Sequence, residues 1–208
     1  MAAKTTKRSY NSSRRAMQAA QTRDDVLRAA TELFRETGWA GTTLAAIAER
    51  AGVSVETVYK GFGSKKGLLR AAFDVAVVGD SEPIPFVERP EFRAFSEGSL
   101  EQRIATTATV TASIHERGAA LWLALVEASR SDDEVDGWRL EMEQRRHLEV
   151  GRSTAAVLDE QPDDQLVTML WILYGAETYL KLTGDRGFDR AQYEAFLIEA
   201  STRLVGQR

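Results

Sequence analysis

Residues 42–65 read TTLAAIAERAGVSVETVYKGFGSK, and the fold of the whole N-terminal part turns on how that stretch is read. Thr42 or Thr43 can cap a short helix that carries Leu44, Ile47, Ala48 and Ala51 on one side and stops at Gly52. Ser54 can cap a second short helix running through Lys60, broken in the stretch from Gly61 to Gly63. Ala48, Gly52 and Val58 follow one another at spacings of four and six. Each type has a reason. A small residue lets the two helices cross, glycine takes the left-handed backbone of the turn, and Ile47, Val53 and Val58 fill the angle between the helices. The pattern is a helix-turn-helix, a motif whose second helix lies in a DNA major groove while the first crosses the backbone.

Upstream, Thr22 with Asp25 three positions later forms an acidic variant of a capping box. The helix expected from it buries Val26, Leu27, Ala30, Leu33 and Phe34 and ends at Gly38 and Gly41. Residues 1–21 are polar and basic and are expected to form a disordered arm. Downstream, Ser64 caps a fourth helix with Leu68, Leu69, Ala72, Phe73 and Ala76 inward, completing a DNA-binding domain over residues 22–78. Pro83, Pro85 and Pro90 then fall in residues 79–96, which read as a linker. The remaining residues, 97–208, show helical spacing throughout, with helices expected near 99–116, 118–131, 134–158, 163–183 and 189–205. The fold class is all-α, a three-helix helix-turn-helix domain followed by a helical bundle.

The charge distribution follows the same division. The chain has 208 residues and a net charge of -4, yet residues 1–70 carry thirteen basic against six acidic side chains, a surplus of +7, and residues 71–208 carry the opposing -11. A basic head on an acidic body suggests that the head meets a polyanion. With no cysteine there is no disulfide, thiolate nucleophile or cysteine zinc site, as suits a cytoplasmic protein. The longest apolar runs, Ala119 to Val126 and Leu166 to Ala176, fall short of the ~20 residues a membrane helix needs. No apolar segment follows the basic N-terminus, so no secretory signal is expected.

Thr42-Thr43, the run Ala48-Glu49-Arg50-Ala51-Gly52-Val53-Ser54, Thr57-Val58-Tyr59, Phe62, Ser64-Lys65 and Leu68-Leu69 together resemble the TetR family of bacterial transcriptional repressors. The resemblance covers about residues 22–73; beyond them it is one of architecture. It implies an N-terminal DNA-binding domain joined to a C-terminal ligand-binding and dimerisation domain. Carried over by position, it makes Thr43, Tyr59 and Lys65 phosphate contacts, and Lys60 joins them by charge and place. Val55, Glu56 and Thr57 open the recognition helix and are the candidates for base readout. Two readings of Glu56 stand side by side: an acceptor for cytosine, or a carboxylate favoured at a helix N-terminus. Gly61 and Lys66 depart from the family pattern, which usually has a large residue and an acidic one there. Lys4, Lys7, Arg8, Arg14 and Arg15 either follow the duplex or form a solvated end without a specific role.

In the body, Thr111, His115, Trp122, Met142, Trp171, Tyr174 and Glu177 are the candidate ligand contacts, polar groups among aromatic and methionine side chains that point to a hydrophobic or aromatic effector. Helices 163–183 and 189–205 carry apolar residues on more than one face, and the resemblance implies a homodimer built from them. Asp132, Glu134, Asp136, Gly137 and Glu143 mimic a calcium loop, but position three is Glu and position eight Arg139, so helix-dipole compensation is the better reading. His147, beside Arg145 and Arg146, is expected to be solvated. No enzyme, metal or cofactor is expected. The sequence therefore reads as a homodimeric repressor that leaves a palindromic operator when a small effector binds. Its alternatives are a ligand-recruited co-repressor or activator, and an enzyme or ligand-sequestering bundle with a docking module.

Overall fold

The computed structural model describes residues 6–206 except 81 and 83, and for residues 6–13 the backbone alone. The chain divides into two compact units, Met1–Asp74 and Val75–Arg208. Every described regular element is helical.

The first unit contains α1 (Thr6–Gly41), α2 (Leu44–Ala51), α3 (Val55–Phe62) and most of α4 (Lys65–Val78). Its core is the set that periodicity selects: Val26, Leu27, Ala30, Leu33 and Phe34 of α1, Ile47 and Ala48 of α2, Val58 of α3, and Leu68, Leu69 and Ala72 of α4. Full burial of each larger side chain is worth about 1.5–3 kcal/mol. The N-terminus departs from expectation. Residues 6–21 are helical and continuous with the core-packed part of α1 rather than a disordered arm, while residues 1–5 lie outside the described residues. Thr22 is therefore no cap; its hydroxyl donates to the Gln18 carbonyl at 2.9 Å, one turn back inside the helix. The physical reason is that Arg, Ala, Met and Gln extend a helix readily, and packing at Val26 has already nucleated this one. At the other end Gly38, at φ 66° and ψ -168°, breaks the helical path as expected.

Three cationic side chains brace this unit. Arg50 of α2 places a two-pronged fork on Glu36 of α1, at 3.0 and 2.8 Å, with Glu32 at 3.5 Å. The bond to Arg50 holds the Glu36 carboxyl below its ordinary range. Arg23 of α1 lies 4.6 Å above the Phe62 ring and donates to the Gly61 carbonyl at 3.5 Å, next to the end of α3. Lys65, at the start of α4, donates to the carbonyls of Trp39 (2.6 Å) and Thr42 (2.8 Å) and sits 4.0 Å from the Trp39 ring centre. Trp39 in turn stacks on Phe34.

The second unit begins with the last turn of α4, whose Ala76 and Val77 carbonyls accept from Arg117 at 2.8 and 3.4 Å. Residues 79–96, read from sequence as a linker, are folded into this unit. Phe86, Phe92 and Phe95 cluster on Ile104 and Val157. Buried Arg89 forks onto Asp80 at 2.7 and 2.9 Å and also takes the Ile84 and Glu82 carbonyls. Prolines stop a long helix here, but they permit the short turn Phe86–Glu88 and α5 (Pro90–Arg93), which seat the aromatic rings.

A single helix, α6 (Leu100–Ser129), replaces the two expected over 99–131. Gly118 does not stop it. It is buried where a Cβ would lie 3.6 Å from that of Ala76, so its smallness serves close packing. α7 (Asp133–Leu158) starts from Asp132, whose carboxylate accepts from the backbone of Glu134 and Val135, and Asp133, Glu134 and Asp136 stand in its first turn. The helix expected over 163–183 is interrupted instead, as α8 (Asp164–Leu173), α9 (Ala176–Leu180) and a wide turn over Lys181–Asp185. Gly175 is extended there, and Arg146 accepts the break by donating to the Trp171 and Tyr174 carbonyls at 2.9 and 3.4 Å. α10 (Arg190–Gly206) closes the bundle against α6 and α8.

Two substitutions test this framework. Lys65→Met strands two carbonyls and should cost about 1–3 kcal/mol in denaturant unfolding, whereas exposed Lys60→Gln should stay within ~0.5 kcal/mol. Gly52→Ala meets no atom within 4 Å, so its cost of about 1–2 kcal/mol is the left-handed backbone alone. An unchanged midpoint for Gly52→Ala would refute that account of the turn.

Candidate nucleic-acid interface and the buried polar cluster

The geometry of α2 and α3 follows from two caps and a turn. Thr43 accepts from the Ala46 amide at 3.1 Å and starts α2. Gly52, at φ 67° and ψ 31°, ends it, with the Gly52 and Val53 amides reaching back to the Glu49 and Ala48 carbonyls at 3.1 and 2.9 Å. Ser54 then accepts from the Thr57 amide at 3.2 Å and starts α3. Val58 is wholly buried, which fixes the rotation of α3 about its axis.

That rotation turns Val55, Glu56, Thr57, Tyr59 and Lys60 outward, all of them exposed, with Tyr59 62% accessible. Six of the seven residues expected to meet DNA are therefore exposed: these five and Thr43 at the start of α2. Their chemistry suits a duplex. Thr43 accepts from the backbone and keeps its hydroxyl proton for an acceptor, and Tyr59 presents a phenol. Glu56 pairs with Lys60 at 2.9 Å one turn on, so in the absence of DNA its carboxylate supports the helix. Thr57 shares a hydrogen bond with Ser54 through their hydroxyls at 2.9 Å.

Lys65 is the exception. Its ammonium is turned inward onto the Trp39 and Thr42 carbonyls, so in this structure it braces the end of α1 instead of facing solvent with the others. The resemblance makes Lys65 a phosphate contact; without DNA, the carbonyls left over where α1 ends hold its ammonium. The bracing roles of Arg23 and Arg50 were also missed. A signal existed for Arg50, because Glu32 and Glu36 lie four apart on one side of α1.

In the second unit, the candidate ligand residues separate. His115 is buried, its Nδ1 2.9 Å from the Tyr193 hydroxyl, with the rings of Tyr179 and Tyr193 packed beside it. Burial, and next the charge of Arg146, push its pKa down to about 3, so the imidazole is neutral. Tyr174 bonds to Ser201 at 2.8 Å, and burial raises its pKa to about 12. Tyr193 is raised too, chiefly by burial. Trp122 and Met142 are buried on α6 and α7, and Thr111 is half-buried. Trp171 lies between Arg146, 5.0 Å from its ring centre, and His147, at 5.8 Å, with a buried indole N–H that has no hydrogen-bond partner among the described residues.

Glu177 does not join them. It is exposed on α9, because the break at Gly175 resets the helical phase on which its inward placement depended. His147 is half-buried, with its ring packed on Trp171 and its Nε2 3.5 Å from the Thr168 hydroxyl. Tyr179, Tyr193, Ser201 and Arg146, which complete the buried polar cluster, were not singled out as ligand contacts. In sequence their spacing is that of any amphipathic helix.

Residues 26–72 match the family model of bacterial regulatory proteins of the tetR family. No curated protein matches the chain. Among solved structures, one assigned as a TetR-family transcriptional regulator from Rhodococcus sp. is similar at a TM-score of 0.65 and 18% identity, over 88% of this chain and 98% of that one. A TetR-like transcriptional regulator from Rhodococcus sp. RHA1 gives 0.62 and 16%, over 90% and 97%. A further transcriptional regulator from the same strain gives 0.61 and 12%, over 89% and 96%. These likenesses establish the fold, and the matched segment contains the whole helix-turn-helix described above. Residues 26–72 thus match the N-terminal domain of the tetR family of bacterial regulatory proteins, and the chain as a whole shares the fold of these solved structures.

Proposed function

We propose that the protein is a homodimeric repressor that reads a palindromic operator and leaves it when a small hydrophobic or aromatic effector enters the second unit. The observation that carries the reading is the exposed face of α3, on which Val55, Glu56 and Thr57 stand at the helix start with Tyr59 and Lys60 behind them. Residues at the start of a recognition helix reach base edges, and those behind and at the start of the preceding helix meet phosphates. A cytoplasmic location goes with such a partner.

Dimerisation is supported by apolar surface. On α8, Ile172 is 60% and Met169 37% accessible, positions a lone soluble bundle would fill with polar residues. The exposed side of α10 offers small residues, Ala191 and Ala195, that permit close helix approach. A two-fold pairing through α8 to α10 would bring two copies of α3 to half-sites about one helical turn apart or slightly more. The effector reading is supported by the buried cluster of His115, Tyr174, Tyr179 and Tyr193, where aromatic walls carry hydroxyl and imidazole groups. A ligand that binds better to a subunit arrangement unable to span both half-sites weakens DNA binding, and DNA weakens ligand binding by the same factor.

Selection of random duplexes by the purified protein should enrich a palindrome. Substituting Val55, Glu56 or Thr57 should then change which bases are enriched, at ~1–3 kcal/mol per lost base contact, while Tyr59→Phe should weaken all sequences alike. No enriched palindrome would count against the reading. In sedimentation the protein should be a dimer at micromolar concentration and Ile172→Glu a monomer; a wild-type monomer would sink the dimer.

Acid stability offers a separate check on the cluster. An unfolded His115 takes up a proton near its ordinary value of 6.5 and the folded one only near 3, so the unfolded chain binds more protons between those values. Stability should fall as pH drops through that window, by at most ~1.4 kcal/mol per pH unit for one proton. His115→Gln should show a flatter decline in urea midpoints from pH 7 to pH 5; an equal slope would place His115 outside the buried cluster.

A further inference from the structure

We propose that the N-terminal stretch of α1, residues 6–22, is a second DNA-contacting element: a helical arm whose basic side lies along phosphates flanking the segment read by α3. The proposal rests on the duplex-binding reading above and extends it beyond the helix-turn-helix.

Four observations carry it. The first is charge: Lys4, Lys7, Arg8, Arg14, Arg15 and Arg23 precede the first carboxylate of the chain, Asp24. An ordinary solvated helix mixes both signs.

The second is register. Because residues 6–41 share one helix up to its break at Gly38, positions 7, 8, 14 and 15 have a defined phase. At 3.6 residues per turn they fall within an arc of about 120°. Position 14 stands two turns beyond 7, and 15 two turns beyond 8, about 10 Å along the axis.

The third is the absence of another reason for this face. Residues 14–20 are all exposed, and Met17, the one large apolar side chain among them, is 66% accessible. Nothing there resembles the Leu, Phe or Trp stripe with which a basic helix enters a membrane surface.

The fourth is position. Arg23 joins α1 to the end of α3 through the Gly61 carbonyl and the Phe62 ring, so the arm departs from beside the recognition helix. Its length, about 25 Å at 1.5 Å per residue, matches ~7 phosphates of one strand at 3.4 Å each. Phosphates are the groups such a face fits, as guanidinium and ammonium donors meet them without regard to base.

The test uses the full chain and the duplex enriched by selection, kept with its flanks or trimmed by ~7 base pairs on each side. Lys7→Gln, Arg8→Gln, Arg14→Gln and Arg15→Gln are combined in one variant, since glutamine preserves helix propensity while removing charge. Affinity is measured across a salt series. The slope of log K against log salt should become shallower by ~2–4, at about 0.9 per lost contact, with the preferred sequence unchanged. The difference should disappear on the trimmed duplex. Ala19→Pro, which keeps every charge but breaks the helix, should also weaken binding on the flanked duplex.

A quadruple variant with the wild-type slope overturns the proposal. So does an Ala19→Pro variant that binds as the wild type does, because the arm would then act as a flexible chain. Failure of the wild-type protein to bind any duplex in a salt-dependent way would instead remove the regulatory reading itself, a result distinct from both.

Discussion

A backbone carbonyl left over where a helix stops short must find a donor, and this requirement organises the protein more than any single apolar contact does. The elements here end abruptly, at glycines, prolines and one interrupted helix, and each such end frees acceptors that the helix no longer uses. Cations from elsewhere in the chain supply the donors. Lys65 serves the end of α1, Arg23 the end of α3, Arg117 the last turn of α4, Arg89 the proline segment and Arg146 the break between α8 and α9. A planar guanidinium can serve two acceptors at once while its stem packs on apolar or aromatic surface. The result is that several of the basic residues that raise the charge of the chain are structural, and those free to meet a polyanion are fewer than the composition suggests.

This division sharpens the picture of the DNA-binding unit. Of its thirteen basic residues, Arg23, Arg50 and Lys65 hold helices together, and Lys60, Arg14 and Arg15 stand on accessible surface. The bracing matters to function because base readout tolerates little misplacement. α3 is short, and its aim is set by buried Val58, by the Gly52 turn, and by Arg50 locking α2 onto α1. The second unit carries the opposite charge.

Much of the first unit was legible because its determinants are local. Caps, a left-handed glycine and the spacing of Ile47, Ala48 and Val58 act within a few residues, so the turn and both helices lie where the residues place them. The misreadings share one cause. Two helices are expected over 99–116 and 118–131, yet α6 runs through Gly118, a close-packing position, while residues 163–183 read as one helix and break at Gly175. Glycine lowers helix propensity at both sites alike, and what differs is the neighbour: the Ala76 methyl group next to Gly118, and the Arg146 guanidinium ready to take the carbonyls freed near Gly175. Lys65 belongs to the same class, since the carbonyls that hold it come from the end of α1, more than twenty residues away.

Periodicity, capping and composition are properties of neighbouring residues, so the class of the fold, the helix-turn-helix and the partition of charge between head and body are legible along the chain. Which cations turn inward, the extension of α1 over residues 6–21, the place of the proline segment in the second unit and the meeting of His115, Tyr174, Tyr179 and Tyr193 emerge in the folded chain alone. Those outcomes depend on which groups from distant parts of the chain meet at the end or break of a helix, and on what burial does to their hydrogen bonding and charge.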